Sequence, residues 1–354
     1  MGRNKPAPRL PPEKETHRMR AMVLRGPRDM GLDDVDNPKP GPRQVLVRLQ
    51  SSGICGTDLK LYEGAIRARY PLVMGHEMSG EVVEGGRGEI RNGERVVIDP
   101  ALFCGTCFHC RAGQTHLCPH GVLLGRDANG SLADYLTVPR SHVFRLPDSV
   151  DRFSAPLIQV VTVCRHAQRL VETFPGQSVV VLGLGVTGQV HVQLAKAWGA
   201  YPVIGISRSA WKRRLAQDFG ADLALASGTE CVRGAWEATG GHGADIVIEC
   251  TGKVPVMADA IAMARPGGTL VLFGVSTATE GKLPFYQLYF KELKIVNPRA
   301  AKSEDFPASI DLVTRGAVKL NPLVTRVLPL AEAREAIAML ESDEERRMKI
   351  IIEN

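Results

Sequence analysis

The rhythm of hydrophobic and polar positions changes once along the chain. From Met19 to about Leu146, short apolar or alternating runs, at 45–49, 80–83 and 95–98 among others, are set apart by glycine and proline. Runs of this kind predict the many short strands of a barrel or sandwich, and no long helical period interrupts them. Beyond about residue 160 the runs become continuously apolar, at 179–182, 203–206, 223–225, 246–248, 269–273 and 293–296. Continuous runs suit parallel strands buried on both faces. Helical patterns lie between them, at 188–199 with Val190, Leu194 and Ala197 in register, and at 210–219. Strands alternating with helices predict an α/β fold built on a doubly wound parallel sheet. Near the C-terminus Leu330, Ile337 and Leu340 keep helical spacing and a last strand covers 348–352. Residues 300–354 are too few for a domain of their own and are expected to return to the first one.

This pattern divides the chain into a first domain at 19–160, completed by 300–354, and a second at 161–299. With 354 residues and 44% hydrophobic content, the chain is too apolar for general disorder and too long for a disulfide scaffold. No apolar run is long enough to cross a membrane. The formal charge of +6 suggests nucleic acid until its distribution is considered. Residues 1–18 hold Arg3, Lys5, Arg9, Lys14 and Arg18 against Glu13 and Glu15, a net +3 and half the total. With Pro6, Pro8, Pro11 and Pro12, this stretch reads as a disordered extension, or a start codon set upstream of Met19. It carries no apolar core of a signal peptide, and Pro6 spoils a myristoylation pattern. No nucleic-acid or membrane partner is expected.

A glycine-rich loop, Gly183-Leu184-Gly185-Val186-Thr187-Gly188, follows one buried run and opens a helix, the setting in which GxGxxG binds a dinucleotide. The first glycine makes the turn, the second admits the pyrophosphate, and the third lets helix and strand pack. The helix N-terminus then faces the phosphates with free N–H groups. Where an NAD site places a carboxylate for the ribose, this chain has Ser207, followed by Arg208 and Lys212. A carboxylate repels a 2′-phosphate, whereas a serine with an arginine fork and a lysine binds one, so the cofactor expected is NADP(H).

Cysteines sharpen the chemistry. Four of the eight stand at Cys104, Cys107, Cys110 and Cys118, spaced to give four thiolates to one tetrahedral zinc. A closed all-thiolate site is structural, and without a secretory signal it places the chain in the reducing cytoplasm. His109, His116 and His120 are then bystanders. Cys164, Cys231 and Cys250 read as small buried hydrophobes, and His166 and His191 as packing or surface residues. A dispersed set, Cys55 in the GICGTD stretch at 53–58 and His76-Glu77 in GHE at 75–77, suggests an open catalytic zinc once a nicotinamide fold is present.

With GICGTD, GHE, the four-cysteine lobe and GLGVTG, the chain from Met19 to Asn354 resembles the zinc-dependent medium-chain dehydrogenase/reductase family. Within it, the chain is most similar to the branch of threonine, sorbitol and other polyol dehydrogenases. The resemblance implies a GroES-like β-barrel catalytic domain with a Rossmann domain inserted into it, two zinc ions per chain, a small alcohol or ketone substrate, and a homo-oligomer, tetramer rather than dimer. It makes Cys55 and His76 ligands of the catalytic zinc, and Glu77 a ligand or a close carboxylate exchanging with water. Thr57 becomes the hydroxyl that binds the substrate oxygen and starts a proton relay, and Asp58 the carboxylate that orients the ligand histidine. Two positions depart from the family. Gln159 stands where relatives carry Cys, Asp or Glu, and is expected at the metal's water or the substrate. Lys60 replaces a histidine of threonine dehydrogenases, which argues against threonine. Arg299, after the last strand of the second domain, is a candidate to reach substrate or cofactor, and Tyr62, Arg67 and Arg69 either recognise hydroxyls or an acid group or are simply exposed. Two rivals are a zinc-free quinone or enone reductase and a non-catalytic NADPH-binding regulator. The first has no use for Cys55, His76 or the cysteine lobe.

Overall fold

A computed structural model describes residues 18–341 and 346–354. The expected extension, apart from Arg18, lies outside the described residues; Arg18 itself opens the strand Arg18–Gly26. Two sheet systems follow the two hydrophobic rhythms. The first is a seven-stranded, largely antiparallel sheet centred on Gln44–Ile54, which pairs with Glu77–Glu84, Tyr135–Pro139 and the C-terminal strand Lys349–Glu353. A three-stranded sheet, with Arg18–Gly26 at its centre, packs beside it. Alternation is visible where one face is core: Val45, Val47 and Leu49 are buried while Arg48 is exposed.

The second system is wholly parallel. Its six strands run in the order Leu223–Leu225, Val203–Ile206, Val179–Leu182, Ala244–Glu249, Ala264–Leu272, Lys294–Val296. By sequence that is 3-2-1-4-5-6, so the order reverses between Val179–Leu182 and Ala244–Glu249, where a crevice opens at the strands' C-terminal ends. Helices cover both faces, and the central strand is fully buried, as its unbroken apolar run predicts.

The C-terminal return is clear. Strand Lys349–Glu353 pairs antiparallel with Gln44–Ile54 and parallel with Val324–Pro329, and Ile350, Ile351 and Ile352 are buried. Helix Ala333–Glu341 precedes it. One element departs from the sequence expectation: a helix, Gly56–Tyr62, interrupts the β-rich region. Seven residues are two turns, too short to register as an apolar period.

Candidate active site

Residue Cys55 caps the N-terminus of helix Gly56–Tyr62, at the end of strand Gln44–Ile54. His76 and Glu77 lead into the neighbouring strand Glu77–Glu84, where Glu77 lies opposite Gly53. One ligand atom each from Cys55, His76 and Glu77 lies within 4.8 Å of the others. Gly53 is required here, because a Cβ at that position would come within 2.2 Å of Glu77 Oε2. The GIC and GHE motifs are thus the two sides of one antiparallel pair.

Asp58 is completely buried and fastens this corner. Its Oδ2 accepts the Cys55 N–H at 2.8 Å, and its Oδ1 lies 3.3 Å from His76 Nδ1, close but out of line for a hydrogen bond. Burial works against a charged imidazole, yet the charges of Asp58 and Cys55 outweigh it and raise the His76 pKa. A buried, basic histidine with a carboxylate behind Nδ1 and a cysteine in front is a donor set that fits a divalent metal. Thr57, one residue along the helix from this corner, makes no hydrogen bond through its hydroxyl to any other described residue. The Glu77 carboxylate is held from behind: Lys349 Nζ donates to its two oxygens at 2.8 and 2.7 Å and to Ile54 O at 3.1 Å. Lys349 is 4% exposed and Glu77 2%.

The four-cysteine lobe satisfies a stricter geometric test. A ZnS4 tetrahedron with Zn–S near 2.3 Å has S···S edges of about 3.8 Å. Here Cys104–Cys110, Cys107–Cys118 and Cys104–Cys118 are 4.0, 3.8 and 3.6 Å apart. Backbone N–H groups of Cys107 and Cys110 point at Cys104 and Cys107 sulfurs at 3.4 and 3.5 Å. Backbone hydrogen bonds from Thr106 and Cys107 draw the Cys104 thiol down to about 5, while burial and its neighbouring thiols push Cys110 up to about 12. One sulfur ionises at another's expense, so four thiolates together need a cation. No histidine nitrogen joins the group; His109 bonds Gln114 instead, at 3.2 Å.

At the crevice of the parallel sheet, Gly183 has φ +92°, and a Cβ there would meet Thr251 Cγ2 at 2.6 Å. A Cβ on Gly188 would lie 2.0 Å from Gly183 O, so loop and helix pack through that glycine. Gly185, the N-cap of helix Val186–Ala197, has nothing within 4 Å of its Cβ position. Gly183 thus makes the turn and Gly188 the close packing, and the open space at Gly185 lies at the N-terminus of a twelve-residue helix. The helix begins at Val186, earlier than its apolar spacing suggests. On the next strand's end, Ser207 Oγ accepts the Ser209 N–H at 3.3 Å, and Arg208 is exposed.

Two described families match the chain: "Alcohol dehydrogenase GroES-like domain" over residues 41–148 and "Zinc-binding dehydrogenase" over 186–315. A sorbitol dehydrogenase of Halalkalibacterium halodurans is 31% identical over 92% of this chain and 97% of its own. This chain belongs to the zinc-dependent medium-chain dehydrogenase/reductase family. An L-threonine 3-dehydrogenase of Pyrococcus abyssi is 33% identical over 83% of this chain and 86% of its own, within the same polyol and threonine dehydrogenase-like branch. Among solved structures, a zinc-binding dehydrogenase from Sinorhizobium meliloti bound to NADP superposes with TM-score 0.90 at 31% identity, over 95% of this chain and 99% of that one. The fold is accordingly a GroES-like β-barrel with a Rossmann doubly wound sheet.

Around this corner of the dehydrogenase stand further sequence candidates. Gln159 lies half-buried in the first turn of helix Ile158–Arg169, which packs against the strand carrying Glu77, and its amide bonds no other described residue. Tyr62 is buried and spends its hydroxyl on Arg28 O at 3.3 Å, so it recognises no hydroxyl in the cleft. Lys60 Nζ reaches across to Val275 O at 3.4 Å. Within the basic run after Ser207, Arg213 turns its guanidinium to Ser207 O and Arg208 O, at 2.8 and 2.9 Å. Lys212 has its pKa lowered by burial, then by Arg347 and Arg208. Sequence reasoning missed Lys349 and Arg347, since a lysine in an isoleucine-rich strand is the only local sign of the first and nothing marks the second. Among the described residues, no helix is long and apolar enough to cross a membrane.

Proposed function

We propose that this protein is an NADP(H)-linked, zinc-dependent dehydrogenase that reversibly oxidises a secondary alcohol or polyol hydroxyl to the ketone. The observation that carries the reading is the convergence of Cys55, His76 and Glu77 within 4.8 Å, beside an open glycine loop. Relatives whose names specify sorbitol, D-arabitol phosphate and 2-dehydro-3-deoxy-L-galactonate support a hydroxylated substrate. Residues 19–160 with 300–354 form the catalytic domain in this reading, and 161–299 the cofactor domain.

Cys55 and His76 hold the catalytic zinc, with Glu77 beside it, and Cys104, Cys107, Cys110 and Cys118 hold a structural one. The catalytic zinc, when bound, supplies the Lewis acidity that lowers the pKa of an alcohol. NADP(H), held by Gly183, Leu184, Gly185, Val186, Thr187 and Gly188, supplies the hydride acceptor or donor. Asp58 keeps the His76 ring oriented. Lys349 neutralises Glu77 and holds its carboxylate by both oxygens. Thr57, with its free hydroxyl, bonds the substrate oxygen and passes its proton outward. The Gln159 amide bonds the substrate or water and adds no charge where relatives have an ionisable ligand. Ser207, Arg208 and Lys212, with no carboxylate among them, favour the 2′-phosphate of NADP(H). The NADP named in the Sinorhizobium meliloti structure supports that choice.

One surface supports a homo-oligomer. The strand Lys294–Val296 ends its sheet, and beside it Phe285, Tyr286, Tyr289 and Phe290 are 66–83% exposed, a face suited to a second copy.

Zinc analysis with an alcohol and polyol panel in NADP+ tests the assignment. Wild type should hold two zinc ions per chain and oxidise members of the panel. Cys55→Ser should lose one zinc and all turnover with NADPH binding nearly intact. One zinc in the wild type, or near-wild-type turnover in the variant, overturns the zinc mechanism. A silent panel with two zincs and intact cofactor binding favours a regulator.

A further inference from the structure

On helix Ile158–Arg169, His166 lies two turns beyond Gln159 and on the same face, roughly 10 Å away at 1.5 Å per residue. His166 Nδ1 sits 3.2 Å from Oδ2 of Asp305, a completely buried carboxylate that also takes the guanidinium groups of Arg165 and Arg169. The ring is 2% exposed, and its Nε2 has no partner among the described residues. The ring of His116, from the four-cysteine lobe, stands edge-on to it at 4.6 Å, and the buried Nδ1 of His116 is also unpartnered. Leaving one buried polar atom unmatched costs about 1–3 kcal/mol. Two of them on touching rings mark a place that a polar ligand completes.

The sign of that ligand follows from the surrounding charges. Two positive charges lie on the segment beside the ring pair: Asp305 Oδ2 accepts the Lys302 backbone N–H at 3.3 Å, and Arg299 precedes Lys302 by three residues. The carboxylates nearby are already engaged. Asp305 is taken by the guanidinium groups of Arg165 and Arg169 and by the His166 ring, Asp127 is gripped by Arg126 at 2.9 and 2.6 Å, and Glu304 pairs with Lys302 and Arg169 at 3.5 Å each. Arg299 is exposed and makes no hydrogen bond or ion pair with any described residue. It follows strand Lys294–Val296, at the end of the parallel sheet formed by the strands' C-termini.

We propose that His116, His166 and Arg299, with Lys302 behind them, form a subsite for an oxyanion, phosphate or carboxylate, at the far end of the substrate from the reacting carbon. This rests on the function proposed above, since it makes the anion part of the oxidised alcohol. The shared helix face sets the reach: an alcohol reacting near Gln159 with an anion two turns along is a polyol phosphate or a sugar acid.

The test uses the zinc-loaded enzyme saturated with NADP+, so that the cofactor site is filled. Arabitol, arabitol 5-phosphate and arabinonate are compared by kcat/KM, and inorganic phosphate binding is read by 31P line broadening. At least one anionic substrate should exceed arabitol by about tenfold or more, the worth of one charge-assisted hydrogen bond. Arg299→Gln and His116→Phe should each bring that ratio towards one and abolish the broadening. Whichever anion gains more identifies the natural group. Equal rates for all three substrates with no phosphate broadening overturn the subsite and leave the dehydrogenase reading standing. A silent panel, with broadening that Arg299→Gln removes, upholds the subsite and overturns the dehydrogenase reading.

Discussion

Substituting Lys349→Met keeps an unbranched side chain, one atom shorter, and deletes its charge. In the wild type the ammonium makes three contacts of 2.7–3.1 Å, two of them to the Glu77 carboxylate, and both residues are almost completely buried. Removing one partner of such a pair costs about 3–5 kcal/mol, because the other charge is left without compensation. Unfolding entropy of about 2.1 cal/mol/K per residue, taken over the chain as one cooperative unit, turns that into a fall in Tm of about 4–7 °C. The double variant Lys349→Met/Glu77→Gln removes both charges and retains the shape beside Gly53, so it should recover at least half the loss. Differential scanning calorimetry of wild type, both single variants and the double variant completes the cycle. Turnover adds a second readout. If Cys55 and His76 hold zinc as proposed, the unpaired Glu77 carboxylate would bind it in competition with substrate, so kcat should fall more in Lys349→Met than in the double variant. A loss below about 1 kcal/mol for Lys349→Met, or a double variant no more stable than the single, refutes the argument that Lys349 is there to hold Glu77.

Three further outcomes follow from the same structure. Cys107→Ser should remove one zinc per chain and lower Tm while the second zinc stays, as read by elemental analysis beside thermal unfolding. Arg208→Ala/Lys212→Ala should lower kcat/KM for NADPH by roughly 10–100-fold, as expected for lost charged hydrogen bonds, and change that for NADH by less than about threefold; equal losses would refute the 2′-phosphate assignment. Asp99 has its pKa raised to about 6 by burial, against hydrogen bonds from Ser303 and Ala101. An acid whose folded pKa lies above its ordinary value of 3.8 stabilises the fold when protonated, so this contribution is full below about pH 4 and fades as pH rises through about 6. Two pKa units correspond to about 3 kcal/mol, and Asp99→Asn should remove that slope in urea unfolding measured from pH 4.5 to 7.5.

What the sequence discloses is what neighbouring residues enforce on one another. The cysteine lobe is legible because its ligands sit within residues 104–118, where spacing alone brings four sulfurs together. The glycine loop is legible for the same reason, since its turn, its packing contact and its open side belong to one strand–helix join. GIC and GHE are each local, but their meeting depends on the register that sets Gly53 against Glu77. No spacing predicts that register; resemblance to a family supplied it. The basic run after Ser207 looked uniform, yet the backbone carbonyls of its own turn capture Arg213, a distinction that composition does not carry. Helix Gly56–Tyr62 escaped because two turns around a cysteine cap leave no apolar stripe.

Lys349 lies beyond such reading because the interaction spans nearly the whole chain, from the second strand of the motif pair to the last strand of the protein. That separation also explains the topology. Cys55, His76 and Glu77 occupy one edge of an antiparallel pair, and Glu77 is a buried carboxylate that those strands alone leave without a cation. The charge is balanced only when Lys349–Glu353 adds beside Gln44–Ile54, after the chain has passed through the parallel domain and returned. The excursion brings the cofactor crevice with it, because helix Ile158–Arg169 leaves the metal corner for the parallel sheet and residues 300–306 lead back along the same helix through Asp305. One closing strand therefore supplies the cation that Glu77 lacks, from the far end of the chain.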